Sequence, residues 1–261
     1  MRLLIVNPNT TASMTAKIAA AARAAAEPGT TILARNPILG PASIEGFYDE
    51  ALCVPGVLEI VEAEGDVDAV IIGCFDDTGL DAVRCITDRP VVGIGEAGFH
   101  MAAMLANRFS VVTTLGRSVP AIEHNMHRYG LAARCARVRA SEVPVLDLEI
   151  PGSGAAAKIG AEIARAKVED RAEAVVLGCA GMTDLAGRLA EEHGLPVIDG
   201  VAAAVALAEG MARIGLRTSR LGGYAPPRKD KGLPGQHGRP VTWPVANNQE
   251  TKDNPNKEFA K

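Results

Sequence analysis

Two stretches of the sequence repeat one pattern: Val70-Ile-Ile-Gly-Cys74-Phe-Asp-Asp-Thr78-Gly-Leu80 and Val175-Val-Leu-Gly-Cys179-Ala-Gly-Met-Thr183-Asp-Leu185. In each stretch, aliphatic residues lead to Gly-Cys, and a polar turn follows before a helical pattern begins. A short apolar run bounded by turn residues is typical of a buried strand. We therefore predict two buried strands, one leading to Cys74 and the other to Cys179.

The segments around the first stretch alternate between strand and helix patterns. Strands are predicted at residues 3–6, 31–34, 69–73 and 90–94. Helices are predicted at residues 13–26, at residues 57–64 and after Thr78-Gly79. Such alternation favours a parallel, doubly wound sheet in an α/β protein.

Two further pairs of segments repeat at almost the same separation as the cysteines, which are 105 positions apart. Asn107-Arg-Phe-Ser-Val-Val resembles Met1-Arg-Leu-Leu-Ile-Val, and Leu195-Pro-Val-Ile resembles Arg89-Pro-Val-Val, each pair 106 positions apart. We expect two pseudo-symmetric doubly wound parallel-sheet lobes, residues 1–106 and 107–224, with the active site in the cleft between them. A helix can still cross from one lobe to the other.

The composition excludes several classes of protein. The chain has 261 residues, a net charge of −4, 48% hydrophobic residues and only 3% aromatic residues, so an aliphatic core is expected and no basic footprint for nucleic acid exists. Apolar runs are shorter than the roughly 20 residues of a membrane span, and the N-terminus lacks a signal-peptide cleavage site. Five cysteines without a disulfide pattern favour the reducing cytoplasm.

Residues 225–261 differ in character from the rest of the chain. They are rich in Pro, Lys and Asn and contain seven basic against four acidic residues. We expect a polar tail that is disordered or wraps a neighbouring subunit.

The two cysteines point to acid/base chemistry. In open parallel sheets, ligands bind beyond the carboxyl ends of the strands, where both thiols are expected. The helix start that follows each cysteine should lower its pKa, and Gly73 and Gly178 should permit a sharp turn and close approach by substrate. Thiols on opposite sides of a cleft suit removal of a proton from one face of a carbon and its return to the other.

A buried structural role is the alternative for any cysteine in an aliphatic strand. We assign that role to Cys53, Cys85 and Cys135, because nothing around them repeats. The duplicated context of Cys74 and Cys179 favours function for these two.

Two other motifs carry less weight. Gly93-Ile-Gly-Glu-Ala-Gly98 matches a dinucleotide fingerprint but lies outside the opening βαβ unit, and Ser118 stands where an acidic residue is expected. Glu123-His-Asn-Met-His127 has helical spacing but no convincing third metal ligand, so a solvated helix face is favoured. We expect neither a metal nor a cofactor.

Five motifs stand out along the chain: they are Asn7-Pro-Asn-Thr10, Ala42-Ser-Ile-Glu-Gly46, Gly73-Cys-Phe-Asp-Asp-Thr-Gly-Leu80, Gly178-Cys-Ala-Gly-Met182 and Val197-Ile-Asp-Gly200. Together they resemble the hydantoin racemase family of the aspartate/glutamate racemase superfamily, over about residues 1–224. The resemblance implies a homo-oligomer that racemises 5-monosubstituted hydantoins without a cofactor, with Cys74 and Cys179 as its acid/base pair. It implies a substrate site formed by Asn7, Thr10, Ser43, Ile44, Phe75, Asp76, Thr113, Thr114, Ala180, Gly181 and Met182.

The residues after the cysteines bear on the substrate. Amino-acid racemases of the superfamily have Asn-Thr after the first cysteine and Thr-His or Thr-Glu after the second, whereas this chain has Phe75-Asp76 and Ala180-Gly181. An ionised Asp76 would repel a free α-carboxylate but could accept hydrogen bonds from a neutral cyclic ureide. Backbone donors aimed at the carbonyl would stabilise enolate charge. A hydantoin is therefore predicted, with allantoin as the close alternative.

The acidic residues after Cys74 have two interpretations. Carboxylates at Asp76 and Asp77 should raise the pKa of Cys74 and keep it protonated while the other thiol is ionised. Alternatively, one or both simply cap the next helix.

Two other functions remain open from the sequence. One is another cofactor-independent enzyme of the superfamily, an arylmalonate-type decarboxylase or a maleate-type isomerase; a decarboxylase of this kind needs only one cysteine. The other is a non-catalytic ligand-binding or redox protein built on two similar lobes.

Overall fold

Eight parallel strands form two four-stranded sheets in the computed structural model, which describes residues 1–228. The first sheet has the order β2-β1-β3-β4, with β1 Arg2–Val6, β2 Thr31–Arg35, β3 Ala69–Ile72 and β4 Val91–Gly93. The second has the order β6-β5-β7-β8, with β5 Phe109–Thr113, β6 Cys135–Ala140, β7 Ala174–Gly178 and β8 Val197–Ile198. The identical strand order of the two sheets confirms the predicted α/β fold of two similar lobes.

Eight α-helices connect and cover the strands within the described residues. They are α1 Ala12–Ala25, α2 Phe47–Ala63, α3 Leu80–Ile86, α4 Ile94–Leu105, α5 Val119–Arg128, α6 Ala155–Glu169, α7 Ala186–His193 and α8 Gly200–Arg213. None of these helices is long and apolar enough to cross a membrane.

The central strands are aliphatic because helices cover both faces of each sheet. Every residue of β3, β5 and β7 is buried, which is the pattern of parallel strands enclosed on both sides. This burial explains why continuous aliphatic runs, rather than alternating ones, marked these strands in the sequence.

Helix α2 is longer than predicted, since it begins at Phe47 and not near residue 57. Pro55 lies inside it, and a proline normally interrupts a helix. Cys53, Val57 and Val61, spaced four residues apart, are all buried and form one continuous apolar stripe. The free energy gained by burying this stripe outweighs the free-energy cost of the proline inside the helix.

Two helices cross between the lobes. Helix α4 packs against β7 of the second sheet, where Gly98 lies so close that an added Cβ would be 2.8 Å from Cγ1 of Val176. Helix α8 in turn packs against α1 and β3, which belong to the first half of the sequence. Each half of the sequence thus contributes a helix that covers the sheet of the other.

The segment after α8 also returns to the first lobe. The backbone N–H of Thr218 donates to Asp88 O at 2.9 Å, and its hydroxyl donates to Arg89 O at 2.6 Å. With these crossings, the division into residues 1–106 and 107–224 describes the sequence repeat and stays a prediction as a division into domains. Residues 229–261, most of the predicted tail, lie outside the described part of the chain.

The close packing of α4 against α8 can be tested by substitution of glycines in α8. A Cβ on Gly200 would lie 2.5 Å from Ile94 O, whereas a Cβ on Gly210 of the same helix would meet nothing within 4 Å. We expect Gly200→Ala to lower the free energy of unfolding by about 1–3 kcal/mol through overpacking. Gly210→Ala should raise it by up to about 1 kcal/mol through helix propensity. Urea denaturation of both variants measures the difference, and equal stabilities would contradict the close packing.

Candidate active site

A cavity lies at the carboxyl ends of the central strands and is lined by residues from both halves of the sequence. Its volume is about 30 Å³. The lining residues are Asn7, Asn9, Met14, Ile44, Gly73, Cys74, Phe75, Asp76, Thr113, Thr114, Ser118, Val145, Gly178, Cys179 and Ala180. The space is enough for about one water molecule, so the site is nearly closed in this conformation.

The two cysteines reach the cavity from equivalent strand ends. Cys74 follows β3 and Cys179 follows β7, and both residues are half-buried and line the cavity. The preceding glycines serve strand packing: a Cβ on Gly73 would lie 3.1 Å from Val6 O, and one on Gly178 would lie 2.8 Å from Cβ of Thr113. Neither glycine has a positive φ, so the expected special turn is not their role. The two glycines let the neighbouring strand approach the backbone just before each cysteine.

The sulfur atoms have different hydrogen-bond donors. The hydroxyl of Thr78 donates to Sγ of Cys74 at 3.6 Å, and the backbone N–H of Gly181 donates to Sγ of Cys179 at 3.4 Å. The Nζ of Lys17 donates to Gly181 O at 2.7 Å and so braces the turn beside Cys179. The two thiols are therefore related by fold symmetry but not by surroundings.

Burial raises the pKa of both thiols, which corrects the expectation that the helix starts lower these values. The expected raising of the pKa of Cys74 by a neighbouring aspartate is confirmed for Asp76. The pKa of Cys179 is raised to about 11, first by desolvation and then by the charge of Asp76, against a lowering effect of Gly181 N–H and Lys17. The pKa of Cys74 is raised well above its usual range, again by desolvation first and then by Asp76. Desolvation outweighs the nearby donors because little solvent reaches either sulfur. Both thiols are protonated in the unliganded protein at neutral pH.

Asp77 caps a helix, but not the one that follows it in sequence. Its Oδ1 accepts from Gly95 N at 2.9 Å and its Oδ2 from Glu96 N at 2.8 Å, at the start of α4. The hydroxyl of Tyr129 also donates to Oδ2 at 2.7 Å. A Cβ on Gly93 would lie 2.0 Å from Oδ1 of Asp77. Gly93 and Gly95 of the dinucleotide-like motif therefore make room for this cap.

Asp76 lies in the cavity wall and is only 9% exposed. Desolvation, followed by the charges of Glu50 and Asp77, raises its pKa to about 8. The carboxyl group is therefore mostly neutral at pH 7. This corrects the expectation that an ionised Asp76 repels acidic substrates.

Seven of the eleven substrate-site residues predicted from the sequence line the cavity. These seven are Asn7, Ile44, Phe75, Asp76, Thr113, Thr114 and Ala180. Two further predicted residues, Gly181 and Met182, do not line the cavity. The backbone N–H of Gly181 donates to the sulfur of Cys179, and Met182 is fully buried in the core of the second lobe.

Thr10 and Ser43 lie beside the cavity without lining it. The backbone N–H and the hydroxyl of Thr10 both bond Pro41 O, at 3.0 and 3.3 Å, so Thr10 anchors the loop that carries Ser43 and Ile44. Ile44 is the loop residue whose side chain reaches the cavity. The next residue, Glu45, accepts a hydrogen bond from Val145 N at 3.1 Å, which joins this loop to the second lobe.

Four lining residues that carry side chains escaped the sequence analysis: Asn9, Met14, Ser118 and Val145. Asn9 belongs to the motif Asn7-Pro-Asn-Thr10, so the sequence could have identified it as a site residue. Its Oδ1 accepts a hydrogen bond from Thr11 N at 2.9 Å, just before α1. Met14 and Val145 look like ordinary core residues in the sequence. Only the tertiary structure brings them to the cavity.

The remaining cysteines lie away from the cavity, and all five in the chain are free thiols. Cys53 is buried in the apolar stripe of α2, and the Sγ of Cys85 donates to Gly223 O at 3.4 Å. Over residues 1–228, no group of three or more His, Cys, Asp or Glu side chains is placed to hold a metal ion.

The cavity is polar but has no cation. None of its lining residues among those described is Lys, Arg or His. Two thiols from opposite lobes, hydroxyl and amide groups and one mostly neutral carboxyl group make up its chemistry. Such a site can move a proton between the two faces of a neutral molecule.

Comparison with known proteins places the chain in a family. Residues 3–208 match the family model described as Asp/Glu/Hydantoin racemase. The chain belongs to this family and is a racemase, that is, an isomerase with a small-molecule substrate, which confirms the resemblance drawn from its motifs.

Individual relatives cover most of the chain. The hydantoin racemase of Pseudomonas sp. (strain NS671) is 47% identical over 232 residues, which span 88% of this chain and 93% of that protein. The hydantoin racemase of Rhizobium meliloti is 48% identical over 231 residues, 87% of this chain and 95% of that protein. The structure of an allantoin racemase from Klebsiella pneumoniae is 47% identical, covers 90% of this chain and 97% of its own, and superposes with a TM-score of 0.87.

The raised pKa of Cys179 predicts slow alkylation at neutral pH. Because the thiolate is the reactive form, the rate with iodoacetamide should rise about tenfold per unit between pH 7 and pH 10. Mass spectrometry of the Cys179 peptide measures this rate. A rate that levels off below pH 9 would show that the thiol ionises more easily than its burial implies.

Proposed function

We propose that this racemase interconverts the D and L forms of 5-monosubstituted hydantoins by proton transfer at C5, with Cys74 and Cys179 as the acid/base pair. The observation that carries the proposal is the placement of one thiol from each lobe in a single cavity without a cation. In each direction, the sulfur that acts as base first gives up its own proton to solvent and, as thiolate, removes the C5 proton, while the other sulfur, as thiol, supplies a proton to the opposite face. No cofactor is needed for this reaction.

The polar lining favours a neutral ring over an amino acid. A free α-carboxylate entering this cavity would meet no cation among the lining residues, whereas ring carbonyl and N–H groups would meet hydrogen-bonding partners. Thr114 and Ser118 line the cavity, and their hydroxyl groups could hydrogen-bond the carbonyl and N–H groups of a bound ring.

Substrate binding requires the cavity to widen. A substituted hydantoin ring is larger than the present space of about 30 Å³. Ile44 and Val145 form part of the wall, and the hydrogen bond between Glu45 and Val145 N joins the two segments that carry them. We propose that these segments separate to admit the ring and that their side chains then contact the C5 substituent.

Allantoin is the second candidate substrate. The Klebsiella pneumoniae structure is of an allantoin racemase and is as similar to this chain as the hydantoin racemase of Pseudomonas sp.. Asn7, Asn9 and Thr114 could bind the polar ureido group of allantoin, whereas Met14 and Ile44 suit an alkyl group. The two thiols argue against an arylmalonate-type decarboxylase, which can work with one.

We also propose that the enzyme is cytoplasmic and forms a homo-oligomer. Five free thiols in one chain suit a reducing compartment. Ile38, Leu39 and Tyr48 expose apolar side chains on the loop after β2 and the first turn of α2, and contact between subunits would cover such surface.

Isotope exchange tests the proposed reaction. Enantiopure 5-alkylhydantoin and enantiopure allantoin are each incubated with the protein in D2O, with a protein-free sample as control. We expect loss of optical rotation together with deuterium at C5, because a solvent-exchanged thiol returns the proton. If neither compound racemises faster than the control, the proposed function is wrong.

Serine variants test the roles of the two thiols. Cys74→Ser and Cys179→Ser should each slow racemisation by about 10² or more, because a hydroxyl is a far weaker base than a thiolate. One enantiopure substrate should still exchange its C5 proton in each variant, since only one face loses its base. Cys85→Ser, away from the cavity, is the matched control and should keep the original rate. Unchanged racemisation in either cavity variant would refute the two-thiol mechanism.

A further inference from the structure

Asp76 is placed to act on both thiols. It follows Cys74 by two positions and lines the cavity, and its charge raises the pKa of both Cys74 and Cys179. Within the described residues, no other carboxyl group is among the causes that shift both cysteines. Its carboxyl group therefore lies near the space where the reacting carbon must sit.

The carboxyl group of Asp76 has no hydrogen-bond partner within the described chain. The backbone of Asp76 is fixed, because Nδ2 of Asn125 donates to its carbonyl oxygen at 2.8 Å. The neighbouring Asp77, in contrast, accepts three hydrogen bonds through its side chain. A carboxyl group that is held in place, only 9% exposed and unpaired is available to a ligand.

The charges around Asp76 are acidic. Glu50 faces it from α2 and Asp77 from its own turn. Glu50 is itself partly desolvated, which raises its pKa, and its Oε1 is buried without a hydrogen-bond partner. On the opposite side, Lys17 and Glu149 act on Cys179, and Lys17 is paired with Asp184 at 3.1 Å. Among the described residues whose charge shifts the pKa of Asp76, none is basic.

We propose that Asp76 works as a neutral carboxylic acid that donates a hydrogen bond to the substrate carbonyl oxygen on which charge collects as C5 loses its proton. The proposal rests on the proposed function and names a further catalytic residue for it. Burial is the main reason that Asp76 keeps its proton, and the negative charge of Glu50 adds to this effect.

The balance of protons is simple. A thiolate takes the C5 proton, the electron pair of the C–H bond moves to the carbonyl oxygen, and Asp76 keeps its own proton while donating a hydrogen bond to that oxygen. When the second thiol protonates C5, the charge returns to sulfur. A neutral Asp76 stabilises both charged species, whereas an ionised Asp76 would repel the enolate and the thiolate.

The pH profile of racemisation distinguishes this role from a structural one. In the original enzyme, kcat should rise with pH as the basic thiol ionises and should level off above about pH 8, where Asp76 loses its proton. Asp76→Asn keeps an N–H donor that cannot ionise, so activity at pH 7 should stay within about tenfold and kcat should go on rising above pH 8. Asp76→Ala removes the donor and should lower kcat by about 10²–10³-fold at pH 7.

Glu50→Gln supplies the second readout. Removal of its charge makes ionisation of Asp76 easier, so the pH above which kcat levels off should be lower by about one unit. Glu62→Gln is the matched control, because Glu62 is an exposed residue of the same helix. Its profile should coincide with that of the original enzyme.

Infrared spectroscopy provides a measurement that does not depend on activity. A protonated-carboxyl band that titrates near pH 8 is expected in the original protein and should be lost in Asp76→Asn. The absence of that band, a kcat that still levels off above pH 8 in Asp76→Asn, or full activity of Asp76→Ala would each overturn the proposal. If the original enzyme racemises neither hydantoin nor allantoin, the failure belongs to the proposed function instead.

Discussion

The rest of the site depends on the hydrogen bonds that the buried side chain of Asp77 accepts. This side chain receives N–H groups from the first turn of α4 and the hydroxyl of Tyr129 from the second lobe. Asp77 itself has a φ of 52°, a backbone conformation that is costly for a residue with a side chain. The three donors offset this cost, and together they fix the turn that carries Cys74 and Asp76. The side chain of Asp77 thus holds the start of α4, joins the first lobe to Tyr129 of the second, and fixes the turn that carries Cys74.

Burial at this junction also sets the electrostatics of the cavity. The same exclusion of water that strengthens the Asp77 contacts raises the pKa of Cys74, Cys179 and Asp76. Each of these groups is more easily neutral than charged, so an unliganded site carries little charge. A thiolate and an enolate must be stabilised by nearby donors, because solvent cannot do so. Donor placement is therefore the main chemical contribution of the protein.

The sequence predicted what local pattern determines and failed where distant contacts decide. Aliphatic runs ending in Gly-Cys correctly placed β3, β7 and the two cysteines, because burial on both faces of a strand is visible in one short segment. The lowered thiol pKa was wrong, since desolvation depends on segments far away in sequence. The partner of Asp77 was missed for the same reason: its cap lies eighteen residues further on, at Gly95. Met182, placed in the site by its neighbour Cys179, belongs to the core instead.

The two halves of the cavity share a fold but differ around sulfur, and this difference has a kinetic consequence. Lys17 lowers the pKa of Cys179, whereas no cation is among the groups that act on Cys74. Cys179 is therefore the easier thiol to ionise. In the proposed reaction, the enantiomer that presents its C5 proton to Cys179 meets the thiol that is more often ionised, and the other enantiomer requires ionised Cys74. Because enantiomers have equal free energy, this asymmetry cannot shift the equilibrium. It changes kcat and KM for the two directions in the same proportion.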